Sequence, residues 1–162
     1  MLDPITQDQV LTSLVNIINS SQGEGDGPGL VLTLGGLTVS GSLIPNWLWF
    51  ADMRRQIAEA TGNKSLDLDE ASGMELFFKS WEDLTIEGKA ETEAARAASE
   101  NLAFRYQDAI RDKDSTVYIH LRDARIFQPG QAGMPGNGML WRGRLNEVTG
   151  WSFGKFGPDS DG

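Results

Sequence analysis

The sequence predicts an α+β fold: a small barrel-like sheet of five antiparallel strands drawn from both ends of the chain, a long helical insertion between strands two and three, and an N-terminal helix. Three observations predict it. Residues 30–44 alternate apolar and polar side chains around Gly35-Gly36, and strand character returns at 116–127, 139–145 and 151–156. Between these regions, over about 46–112, apolar residues recur at helical spacing and Ala, Glu and Arg accumulate. An isolated hairpin is barely stable in water, so the early and late strands should pair. Closing five short, bent strands into a barrel would also remove exposed edges.

The elements follow in order. Asp3-Pro4 reads as an N-cap with Pro at the first helical position. Val10, Leu11, Leu14, Val15, Ile17 and Ile18 then make an amphipathic helix of about four turns within residues 1–20. Residues 21–29, with four Gly and a Pro, read as a flexible linker. Leu30-Val31-Leu32-Thr33-Leu34 and Leu37-Thr38-Val39-Ser40-Gly41-Ser42-Leu43-Ile44 flank a two-residue Gly-Gly turn, and Gly41 in mid-strand predicts a bulge or bend. Asn46 can cap a second helix from Trp47 to Ala60 that stops at Gly62, with Trp47, Phe50, Met53 and Ile57 as its apolar stripe. A short third helix is expected after Asp67, carrying Leu68, Met74, Phe77, Phe78 and Trp81. An exposed helix is expected from Lys89 to about Arg111, with Leu102, Ala103, Tyr106 and Ile110 on one face.

Of the late segments, 128–138 holds four Gly and two Pro and reads as an irregular loop, and residues 157–162 read as a frayed tail. The whole is one domain over 30–156 with its insertion. At 162 residues the chain is short for two average domains.

Composition excludes several function classes. With no Cys there is no disulfide framework, zinc ribbon or thiol nucleophile. No apolar run approaches the roughly 18–20 residues that cross a bilayer, and Met1-Leu2-Asp3-Pro4 does not resemble a signal peptide, so a cytoplasmic protein is expected. The net charge of −9 is uneven: −4 over residues 1–44, −6 over 45–116 and +1 over 117–162. Only Arg122, Arg125, Arg142, Arg144 and Lys155 could make a basic face, which argues against nucleic acid.

No catalytic set assembles. His120 is the sole histidine and lies on the strand face opposite Val117, Ile119 and Leu121, where a structural role outweighs a catalytic one. Asp67-Leu68-Asp69-Glu70 lacks the Gly-centred loop of a calcium site and reads as helix capping. Gly35-Gly36 and the 128–138 loop lack the Lys-Ser/Thr of a phosphate cradle. No catalytic residue, metal or cofactor is therefore expected. The candidate partner-binding residues are Arg122, Arg142, Arg144, Trp141 and Trp151. Arg142 and Arg144 share a strand face, although pairing of these arginines with Asp123, Glu147 or the acidic insertion competes with that role. Trp141 and Trp151, on strands expected to be neighbours, read first as core or cross-strand partners.

Two resemblances add to this reading. The hairpin Leu34-Gly35-Gly36-Leu37-Thr38-Val39-Ser40-Gly41-Ser42-Leu43, with Ile119-His120-Leu121-Arg122-Asp123-Ala124 and Trp141-Arg142-Gly143-Arg144-Leu145, resembles the Sm-like version of an SH3-type barrel. The stretches Tyr118–Ile126, Met139–Leu145 and Val148-Thr149-Gly150-Trp151-Ser152-Phe153-Gly154-Lys155 resemble the U-type gas vesicle accessory proteins. That resemblance implies a cytoplasmic, non-catalytic factor for vesicle assembly or clustering, which contacts gas vesicle proteins or itself and can form homo-oligomers. The alternative from another class is an Sm-like RNA-binding ring module, disfavoured by charge and by the lack of a polar-aromatic base pocket.

Overall fold

The computed structural model describes residues 7–97 and 116–156. Element order is α1 (Gln9–Asn19), β1 (Gly29–Leu34), β2 (Leu37–Leu43), α2 (Asn46–Thr61), a 3-10 turn (Leu68–Glu70), α3 (Gly73–Ala97), β3 (Tyr118–Phe127), β4 (Met134–Arg144), a second 3-10 turn (Leu145–Glu147) and β5 (Gly150–Phe153).

The five strands form one antiparallel sheet in the order β4-β3-β2-β1-β5, so the early hairpin is flanked on both sides by late strands. Leu34 pairs with Leu37 across Gly35 (φ 54°) and Gly36 (φ 83°), two positive values that glycine adopts without steric cost. The expected mid-strand irregularity is present. The β2–β3 register shifts between Ser40 and Ser42, and on β3 Asp123 takes φ 51°. A Cβ on Gly41 would sit 3.0 Å from both the Ala124 Cα and the Arg122 carbonyl oxygen. Gly41→Ala should therefore lower stability by about 1–3 kcal/mol through overpacking against backbone, read as a lower urea midpoint with an unchanged slope.

The barrel is not closed. Strands β4 and β5 are the two ends of the sheet and do not pair with each other. A four-residue β5 joined to β4 through a 3-10 turn pairs only with β1, and α1 covers the face that closure would have sealed. Leu11 and Val15 of α1 are buried with Leu30, Leu32, Val39, Leu43, Ile119, Leu121, Ala124 and Leu145 in the main core. The helix starts at Asp8, whose carboxylate accepts the Val10 and Leu11 amides, rather than at Asp3. The expected Asp3-Pro4 cap lies outside the described residues. Of the 21–29 segment, the Gly27 amide donates to the Leu43 carbonyl at 2.9 Å, and the Pro28 carbonyl accepts from the Leu43 amide at 2.9 Å.

The opposite sheet face carries α2 and α3. Ile44, Leu48, Trp49 and Phe50 form a second core with Trp47, Met53, Phe78 and Leu140 at its margin, so the buried side of α2 includes Phe50 of the expected stripe, keeps Trp47 and Met53 at the edge, and widens to Leu48 and Trp49. The buried side is wider than that stripe because the sheet and α3 both press on α2, which buries a broader arc than one neighbour could. Gly62, at φ 84°, ends α2 as expected. Asp67 caps its short turn by accepting the Asp69 amide. The third helix is long, not short: α3 runs for 25 residues through the point where a separate helix was expected at Lys89, because Gly88 costs a helix only about 1 kcal/mol and does not stop it. The remainder of that expected helix, residues 98–111, lies outside the described residues.

The 128–138 loop was expected to be irregular throughout, yet β4 begins at Met134, which pairs with Ile126. β4 is an edge strand, the place in a sheet that tolerates Pro135, and register shifts absorb the glycines.

Candidate contact surface

The structure does not bring the five candidate residues together. Trp141 and Trp151 pack against the main core from β4 and β5, which are opposite edges of the sheet and not neighbours. Trp151 donates from Nε1 to Asp8 Oδ2 at 3.2 Å and stacks edge-on against Phe153, tying β5 to the start of α1. Trp141 lies across Gly143, on the same strand face two residues on.

Arg122 faces the other way and is engaged. Its Nε donates to Asp52 Oδ2 at 2.9 Å, its Nη2 reaches the same oxygen, and its Nη1 donates to Asp26 at 2.9 Å. Burial lowers the Arg122 pKa, but the Asp52 and Asp26 carboxylates outweigh it and hold the pKa above the ordinary value. For this arginine the competing reading was correct: it pairs with the acidic insertion. Next to it, Asp123 bonds Lys155 at 2.6 Å and Arg125 at 3.2 Å. Burial raises the Asp123 pKa, and these two cations more than reverse that.

Arg142 and Arg144 do share an exposed face of β4, as the alternation of the strand requires. The Arg142 guanidinium lies 3.6 Å from the Tyr118 ring centroid and 6.0 Å from that of Phe50. Its Nε donates to His120 Nε2 at 3.2 Å. His120 is buried among the rings of Trp49 (5.4 Å) and Phe50 (6.1 Å). Because Nε2 accepts, Nδ1 carries the proton, and it finds no partner among the described residues. Burial first, and the Arg142 charge second, push the His120 pKa down to about 3. The ring is neutral at physiological pH and sealed from any substrate.

Beyond Phe50 lies a surface that sequence reasoning did not single out. Phe78 packs edge-on against Trp49, and Glu82 binds Arg54 at 2.9 Å, so one side of α3 is committed to α2. Trp81 stacks on Phe50 at 5.8 Å but remains 45% exposed. With it on the adjoining side stand Met74 at 55%, Phe77 at 53% and Leu84 at 58% exposure. Their 3-4-3 spacing places all four on one stripe. The signal was present in the sequence as an apolar arc too wide for one neighbouring helix to cover. Which part of the arc would stay uncovered depended on where α2 lay.

Among the described residues no group of three or more metal-ligating side chains could hold a metal ion. Nor is any helix there long and apolar enough to cross a membrane.

No curated protein and no solved structure matches the chain. A family model does, and it spans the cap of α1, both cores, the Arg142–His120 pair and the α3 stripe. Matched from residue 8 to residue 156, the chain belongs to the gas vesicle protein GvpU-like family.

Proposed function

We propose that this chain is a non-catalytic accessory protein of gas vesicles, acting in the cytoplasm in vesicle assembly or clustering through protein–protein contacts. The observation that carries the reading is the uncovered apolar stripe of α3, whose Trp81 stacks on the buried Phe50 ring that the cationic Arg142–Tyr118 rim approaches from the other side at 6.0 Å. Contiguous apolar surface bordered by polar groups is the usual mark of a docking site. The one histidine, by contrast, is buried and neutral and has no access to a substrate. Arg142 and Arg144 serve as the charged part of the contact face, while Trp141 and Trp151 act behind it by holding the sheet edges to the core.

The test is flotation with purified gas vesicles. Wild-type chain should rise with the vesicles at low salt, and the double variant R142A/R144A should bind them about five- to tenfold more weakly, the effect of removing roughly 1 kcal/mol of attraction at a charged rim. Chain that stays in the bulk phase at every concentration would overturn the reading.

A further inference from the structure

We propose that the exposed stripe of α3 is the interface of a two-fold pair of this chain, with the α3 helices of two copies packed antiparallel about residue 79. This rests on reading the stripe as a contact surface, and it names what occupies it.

The argument is the symmetry of the stripe. Met74, Phe77, Trp81 and Leu84 lie five and two positions to either side of residue 79. Turning one helix end for end about that point sets Met74 against Leu84 of the second copy and Phe77 against its Trp81. Each layer occurs twice, as an isologous interface requires. The layers join an aliphatic to an aliphatic residue and an aromatic to an aromatic one, in the alternating pattern of an antiparallel helix seam.

The four side chains expose roughly 400 Å² of apolar surface per copy, which is near the size at which patches mark interaction sites. It is about half of what one partner contributes to a standard stable interface. The pair should therefore be reversible, with a Kd of about 1–100 μM.

The chain has no cysteine, which permits a clean test. Sedimentation velocity between about 1 and 200 μM should show wild type passing from monomer to dimer, while M74E/L84E stays monomeric with an unchanged circular dichroism spectrum. Under mild oxidation M74C/L84C should form covalent dimers, because positions 74 and 84 meet across the seam, whereas either single cysteine variant should not. Within one copy these positions are about 15 Å apart, far beyond disulfide reach. Wild type that is monomeric throughout, or M74C alone that cross-links as well as the double variant, would sink the proposal. Vesicle flotation is scored separately. A monomer that still floats overturns the pair alone, and a dimer that does not float overturns the vesicle reading alone.

Discussion

Leu11→Ala should cost the fold about 2–5 kcal/mol, a large share of the roughly 5–15 kcal/mol that holds a domain of this size together. Leu11 sits on α1 at 0% exposure, in contact with a core built from β1, β2, β3 and the turn after β4. Truncating it removes buried methyl groups and leaves a cavity that a sheet on one side and a helix on the other cannot easily close. Val10→Ala, one residue earlier and 67% exposed, should change stability by less than about 0.5 kcal/mol. Urea unfolding of the two variants measures the contrast. If α1 were a free arm, neither substitution would move the midpoint. Its ties argue otherwise: Asp8 to Trp151, Asn16 to Thr116, and Asn19, whose Oδ1 accepts the Asn46 amide at 2.9 Å.

Acid should destabilise the protein well above the pH at which carboxylates titrate, and His120 is the reason. Folded, the ring stays neutral down to a pKa of about 3; unfolded, it takes a proton below its ordinary 6.5. Between those values the unfolded chain binds more protons, so stability is greatest above pH 6.5 and falls as pH drops through the window. At pH 5 the loss should be about 2 kcal/mol. Asp8, Glu75 and Asp123 act in the same direction but lower down. Each is held below its ordinary value of 3.8 or 4.5, so its contribution is lost only as pH falls through that range. Among the described residues the groups facing the ring are Arg142 from β4 and the uncharged Trp49 and Phe50 from α2, and no anion there offsets protonation. Thermal melts at pH 7, 6 and 5 should show the slope in wild type and its loss in His120→Leu. A wild-type melting temperature that is flat over that interval would show that the ring can be charged where it lies.

Several parts of this architecture were legible locally. The Gly35-Gly36 hairpin, the Gly41 bulge and the Gly62 stop each follow from backbone freedom that other residues lack, and a reader needs only a few neighbouring residues to see them. The helical insertion was legible in outline, but its internal boundary was not. Gly88 and the shift toward Ala and Glu near Lys89 suggested two helices, whereas packing against α2 carries α3 straight through. The contact surface was half legible. Met74, Phe77 and Trp81 were visible as apolar residues on a helix, and nothing near them in sequence said that α2 would take Phe78 and leave the others in water.

By itself, then, the sequence determined the strand-forming ends, the helical middle, the turns that join them, the uneven charge and the resemblance to gas vesicle accessory proteins. These rest on side-chain periodicity and backbone preference, which act over a few residues. The tertiary structure decided that the sheet stays open with α1 as its cover, that Trp141 and Trp151 stand at opposite edges, and that Arg122 is committed to Asp52, 70 residues away. It also decided that His120 is buried while one side of α3 is not. Each of these depends on which distant surfaces meet, and burial is a property of the assembled contacts rather than of any residue.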